Sequence, residues 1–156
     1  MRRLLLILGA GTLIVMLAAG IGVVVLIYKG NSLDAESKAF VDRAVPAIAA
    51  NWNKEQLLDR ATPELRANTT PENWRALFDA VSQLGPLGEY QGATGEANMS
   101  YMAGAGGSVT ASYVAKAKFK DGIATIRIAL VKRDGRWMIS GFHVDTALSG
   151  APGRGI

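Results

Sequence analysis

The sequence predicts an α+β domain that follows an N-terminal transmembrane helix. Three observations predict this arrangement. A long apolar segment without charges occupies residues 4–28, and apolar residues at helical spacing then give way, after residue 87, to an alternation typical of strands. Two Asp-Gly pairs, at 121–122 and 134–135, are typical of tight hairpin turns. We therefore expect helices first and a curved antiparallel sheet after them, with the helices covering one face of the sheet.

The apolar segment from Leu4 to Tyr28 contains 25 residues and no charged side chain. As a helix it would be about 37 Å long at roughly 1.5 Å per residue, which is enough to cross a bilayer core of ~30 Å. Arg2 and Arg3 precede the segment, whereas Lys29 is soon followed by acidic residues. The positive-inside rule then places the N-terminus in the cytoplasm and the rest of the chain outside.

A cleavable signal peptide is the alternative interpretation of this segment. The small residues 18–20 are a possible cleavage site, after which the mature chain would begin near Ile21. The apolar part of a signal peptide is usually about 7–15 residues long, and cleavage here would leave the very apolar run 21–27 at the new N-terminus. The sequence therefore favours an uncleaved anchor that contacts membrane lipid through residues 4–28.

Small residues share one face of the predicted membrane helix. Gly11, Ala18 and Gly22 lie on this face with Val15 between them, so a second helix could approach closely. Glycine and alanine are also common in membrane helices that make no such contact, which is the simpler explanation.

Composition excludes several kinds of site. The chain has no cysteine and one histidine, which rules out disulfides, cysteine-ligated metals, iron–sulfur clusters, thiol catalysis and multi-histidine metal sites. We expect no cofactor and no metal. The lysines at 116, 118 and 120 form a basic row, but it lacks the interleaved aromatic residues that single-stranded nucleic acid requires, so we expect no nucleic-acid partner.

Four segments follow from these patterns. They are a cytoplasmic stub with the transmembrane helix (1–30), a linker (31–33), an α+β domain (34–146) and a flexible Gly- and Pro-bearing tail (147–156).

Capping residues mark the predicted helices of the domain. Residues 34–52 have apolar residues at helical spacing and predict a first, amphipathic helix. Asn53, with Gln56 three residues later, indicates the start of a second helix. A threonine followed by proline at 62–63 and again at 70–71 indicates two further starts, the second opening a helix that runs to about Leu84.

The two Asp-Gly turns predict the strand register. Pairing Lys120 with Ile123 and Arg133 with Arg136 places one set of mostly apolar residues on the face that the helices cover, and it places Phe142 and Val144 on the opposite face. The covered set is Tyr113, Ala115, Ala117, Phe119, Ile126, Ile128, Leu130, Trp137 and Ile139.

The order of these elements resembles a known superfamily. A first helix ending in tryptophan, short helices at 53–60 and 70–84, and long hairpins closing with Gly-Arg-Trp-Met-Ile-Ser-Gly-Phe at 135–142 are similar to the nuclear-transport-factor-2-like, or cystatin-like, α+β cone. The resemblance covers residues 34–146. It implies a small membrane-anchored bacterial member, single-pass in the inner membrane with a periplasmic domain, comparable to scaffold subunits of envelope assemblies.

His143, Asp145 and Tyr113 are the candidate catalytic residues. His143 and Asp145 are two apart on the last strand and so share a face, which the predicted register makes the interior face that Tyr113 also lines. Enzymes of the resembled superfamily, such as scytalone dehydratase and ketosteroid isomerase, carry such side chains inside the cone, although their residue motifs are not present here. A structural role for the three residues is the favoured interpretation.

Two functions are therefore compared. The first is a non-catalytic interaction domain of the bacterial cell envelope, which binds a protein partner or a second copy of itself. The alternative is a small-molecule binder or lyase/isomerase in which His143 is the general base and Tyr113 or Asp145 assists it.

Overall fold

The computed structural model describes residues 32–102 and 106–149. The predicted membrane segment, with its small-residue face at Gly11, Val15, Ala18 and Gly22, lies outside these ranges. Within them, no helix has the length and apolar character needed to cross a bilayer.

Helices precede the sheet, as the sequence predicts, and their capping residues are confirmed. Side-chain oxygens of Asn53, Thr62 and Thr70 each accept a hydrogen bond from the backbone N–H three residues later, which satisfies a donor that the helix itself leaves free. The helices of the described chain are α1 (32–49), α2 (Lys54–Leu58), α3 (Pro63–Asn68) and α4 (Pro71–Ser82).

The second half of the domain is an antiparallel meander in the strand order β1-β2-β3-β4. The predicted α+β class is thus confirmed. The last strand continues beyond the predicted end at Asp145 and includes the first residues assigned to the tail. The strands are β1 (Leu87–Met102), β2 (Gly106–Phe119), β3 (Gly122–Arg133) and β4 (Arg136–Leu148).

The β2–β3 turn differs by one residue from the prediction. Phe119 pairs with Gly122, so Lys120 and Asp121 form the turn and the register moves by two residues. The predicted faces are preserved because side chains alternate with a period of two. Contacts from outside the hairpin account for the shift: the Asp121 N–H donates to the Leu84 carbonyl at 2.9 Å, which ties the turn to the end of α4.

The β3–β4 turn agrees with the prediction, but the strands do not stay in that register. Asp134 and Gly135 both have positive φ, at 51° and 75°, as a type I′ turn requires. Leu130 pairs with Ile139, whereas the next pair is Ala129 with Gly141. Ser140 is therefore an extra residue in β4, a β-bulge.

This bulge reverses every face assignment after residue 140. Phe142 and Val144 pack against the core, and the prediction that they lie on the opposite face is wrong. The edge of β4 is also engaged here, since the Ile139 N–H donates to the Arg60 carbonyl at 2.7 Å and the Ile139 carbonyl accepts from the Thr62 N–H at 2.8 Å. We attribute the bulge to this docking of the α2–α3 connection on the sheet edge.

Polar contacts from the first helix position it on the covered face. The Tyr113 hydroxyl and Ser37 Oγ lie 2.9 Å apart, and the Tyr90 hydroxyl donates to Asp42 at 2.8 Å. Around them the predicted inward-facing set is confirmed, with Trp137 partly buried. The helical side of the core is built from Val41, Val45, Ile48, Leu57, Trp74, Val81 and Leu84.

Candidate functional site

Small residues form the floor of a groove on the other face of the sheet, which we call the outer face. Ser112 pairs with Ala129, and Ala129 pairs with Gly141, so the three lie side by side on neighbouring strands. A Cβ on Gly141 would lie 3.3 Å from the Ala129 Cβ, tighter than ordinary contact. The row therefore leaves a low strip across the sheet, which we call the outer groove.

Larger side chains border the outer groove on both sides. Val114, Arg127 and His143 form one border, and with the floor they line an open cleft of about 480 Å³. Val114 is 39% exposed although it is apolar. The register places a second, mostly apolar border two residues away on each of β2 and β3, made by Thr110 and Val131.

The Asp145 carboxylate contacts both Arg127 and His143 at this border. Asp145 accepts from an Arg127 guanidinium nitrogen at 2.9 Å, and its other oxygen lies 3.1 Å from His143 Nε2. The three side chains are between 47% and 64% exposed, so water screens these contacts. The cluster therefore holds the side chains in place at the groove border, but the site is too exposed for them to act as an enclosed acid–base pair.

Tyr113 lies on the opposite face of the sheet from this cluster. It is 2% exposed, and its hydroxyl also donates to the Asp34 carbonyl at 3.2 Å. The sequence predicts that His143 and Asp145 share the interior with Tyr113; the structure corrects this, because the bulge at Ser140 turns both residues outward. On the outer side Arg127 is the cross-strand neighbour of His143 and the ion-pair partner of Asp145, a contact that could be identified from the sequence only with the correct register.

The pKa shifts of Asp42 and Tyr90 mark a contact that holds α1 on the sheet. Burial by itself would raise the pKa of Asp42, but hydrogen bonds from Lys38 and Tyr90 outweigh burial and lower it below the ordinary value. Burial, with Asp42 adjacent, raises the pKa of Tyr90. Both shifts favour the pair of an ionised carboxylate and a neutral phenol, which is a structural contact.

The described part of the chain contains no side-chain cluster that could ligate a metal ion. Over residues 32–102 and 106–149, no group of three or more His, Asp or Glu side chains converges on a common point. The groove residues offer a guanidinium, an imidazole and a hydroxyl beside apolar surface, a set suited to binding another molecule.

Comparison of the chain with protein-family models, with curated proteins and with solved structures gives no match.

Proposed function

We propose that this chain is a single-pass, membrane-anchored interaction domain of the bacterial cell envelope, and that it is not an enzyme. Residues 4–28 form the anchor, and the α+β domain lies on the periplasmic side. The support for the anchor is the uncharged apolar segment flanked by Arg2, Arg3 and Lys29.

We further propose that the domain is a member of the nuclear-transport-factor-2-like superfamily. The order of helices followed by a meander supports this assignment, as does the packing of α1 along the covered face of the sheet. A cone-type fold hosts binding modules and enzymes alike, so the function must be argued from the site.

The outer groove is the observation that carries the interaction role. It combines a floor of small residues with an exposed apolar side chain, Val114, on a sheet face that no described helix covers. Its two borders on β2 are four residues apart, about 13 Å at ~3.3 Å per residue, which accommodates one side of an α-helix. Helices pack naturally on uncovered sheet faces.

The basic side chains beside the outer groove indicate which kind of partner helix complements it. Lys116 and Arg127 lie on the outer face beside the groove; Arg127 is paired with Asp145, whereas Lys116 makes no ion pair within the described residues. An amphipathic helix of a partner protein, with small apolar residues at its centre and acidic residues on its flank, complements this surface. A second copy of this chain is the competing occupant.

The alternative function, a lyase or isomerase with His143 as general base, receives less support. It requires His143 and its helper to face one enclosed cavity. Tyr113 is buried on one face of the sheet, and the exposed His143 and Asp145 lie on the other.

A site-specific cross-linking experiment tests the interaction role. The chain lacks cysteine, so Ser112→Cys introduces a unique thiol at the groove floor, and Ser82→Cys introduces one at the exposed end of α4 as the matched control. Each full-length variant is labelled in intact membranes with a thiol-reactive photo-cross-linker. We expect one discrete adduct from position 112 and none from position 82.

The same gels separate the possible outcomes. An adduct whose added mass belongs to another envelope protein supports the proposal, and its loss in the Ser112→Cys/Lys116→Glu variant confirms the charge argument. An adduct of twice the chain mass identifies a second copy instead. Equal adducts from both positions, or none from position 112, contradict a specific site in the groove.

A further inference from the structure

The end of α1 has an unusual residue in a strained conformation. The Asn53 N–H donates to the Ile48 carbonyl at 2.9 Å, which is the bond that closes a Schellman-type helix end. The residue before Asn53 in such a motif adopts the left-handed conformation and is usually glycine. Here it is Trp52, with a φ of 46°. A bulky residue at such a φ is held there by its surroundings.

The Trp52 side chain is buried and belongs to the hydrophobic core. Its ring stacks on Phe119, with centroids 5.1 Å apart and planes 19° from parallel. The residue is 9% exposed, and its indole Nε1 is buried without a hydrogen-bond acceptor within the described structure. Buried donors are nearly always satisfied, so this one requires an explanation.

Trp52 also lines a cleft of about 540 Å³ between the α1–α2 junction and α4. Trp74 and Phe78 form the aromatic part of the opposite wall, with ring centroids 6.4 Å apart. The volume lies within the range of about 300–1,000 Å³ that is usual for small-molecule sites.

Polar side chains at the rim balance one another in charge. Lys54 and Arg75 are cationic, Glu55 and Asp79 are anionic, and the Asn51 amide is neutral. All five are exposed at the cleft mouth. The rim therefore offers donors and acceptors in comparable number without net charge, which favours neither an anion nor a cation.

We infer that this cleft binds a neutral saccharide of one or two sugar rings. Such a ligand presents apolar ring faces to Trp74 and Phe78 and hydroxyl groups to the rim. A small displacement of the strained Trp52 side chain on binding would bring its Nε1 to the cleft, where one hydroxyl oxygen accepts the hydrogen bond that it otherwise lacks. The inference rests on the cleft alone and is independent of the outer groove and of the anchor.

Tryptophan fluorescence provides the direct test, because Trp52 and Trp74 are two of the three tryptophans in the chain. Full-length protein in detergent micelles is titrated with N,N′-diacetylchitobiose, cellobiose and maltose. We expect a saturable change with at least one of them at concentrations up to about 10 mM. No saturable change with any of the three disaccharides overturns the inference.

Matched variants locate the binding. Arg75→Ala combined with Asp79→Ala removes two exposed rim groups and should weaken binding at least tenfold, whereas Glu72→Ala, on the same helix outside the cleft, should leave it unchanged. Trp52→Phe keeps an aromatic ring on Phe119 but removes the Nε1 donor together with part of the indole ring, and it should weaken binding several-fold. Circular dichroism confirms that each variant is folded. Wild-type affinity in both cleft variants contradicts the site, whatever the result of the cross-linking at Ser112.

Discussion

At the scale of single residues, Tyr113 shows that the position of a side chain in the fold determines what it can do. The sequence places it among the possible catalytic residues, but its hydroxyl is buried between Ser37 and the Asp34 carbonyl. A hydroxyl in this position has no access to a substrate, and both of its contacts lie on α1. Tyr113 therefore serves to position α1 on the sheet.

Tyr113→Phe tests this structural role. Removal of the hydroxyl eliminates two hydrogen bonds in the core, so we expect the free energy of unfolding to fall by about 1–2 kcal/mol. Urea denaturation followed by circular dichroism measures the change, with the exposed Ser108→Ala as control. Unchanged stability would contradict the structural role.

Asp42 makes stability depend on pH in a defined direction. Its pKa is lowered in the folded state because the hydrogen bonds from Lys38 and Tyr90 outweigh the effect of burial. The ionised carboxylate therefore contributes stability above the unfolded pKa of about 4, and this contribution is lost as pH falls through the folded value. We expect Asp42→Asn to cost about 0.5–1.5 kcal/mol at pH 7 and progressively less below pH ~4.

Thermal unfolding of both proteins between neutral pH and about pH 3 measures this convergence. Glu72→Gln is the control for loss of an exposed carboxylate that makes no ion pair in the described structure. A difference between Asp42→Asn and the wild type that stays constant or grows at low pH would show that Asp42 is not stabilised in its ionised form.

At the scale of elements, the helix starts could be predicted but one strand register could not. The caps at Asn53, Thr62 and Thr70 depend on a side chain and a backbone N–H three residues away, which are both visible in the sequence. The bulge at Ser140 depends on Ile139 pairing with the α2–α3 connection, about 80 residues earlier in the chain. No local pattern encodes that contact.

Deletion of Ser140 tests the bulge. Gly141 then follows Ile139 directly and keeps its pairing with Ala129, so Phe142 and Val144 should still face the core. Deletion of Phe142, where β4 is regular, should instead turn His143 into the core and Val144 away from it. Burial of one apolar side chain contributes roughly 1.5–3 kcal/mol, so we expect the Phe142 deletion to cost about 3–5 kcal/mol or to prevent folding, and the Ser140 deletion to cost clearly less. Thermal denaturation measures both losses, and equal losses would mean that Ser140 is not an extra residue in the strand.

At the scale of the whole molecule, the proposed role depends on the anchor. Val15→Arg with Met16→Arg places two charges at the centre of segment 4–28, at a cost of about 2.5–3.5 kcal/mol each on insertion scales. We expect the carbonate-resistant membrane fraction to fall sharply, whereas Asn31→Arg, beyond the segment, should not change it. Recovery of the wild-type protein in soluble form with an N-terminus near Ile21 would instead establish a cleaved signal peptide.

The sequence by itself determined what short-range chemistry controls. Helix caps, the Asp134–Gly135 turn, the α+β class and the inward-facing residues of β2 and β3 all follow from spacing within a few positions. The tertiary structure decided the turn at Lys120–Asp121 and the bulge at Ser140, because backbone groups from the segment after α4 and from the α2–α3 connection pair there. Those contacts turned His143 and Asp145 from the core to the outer face. The physical reason is that strand faces alternate with every residue, so one long-range hydrogen-bonded contact moves an entire set of side chains to the other side of the sheet.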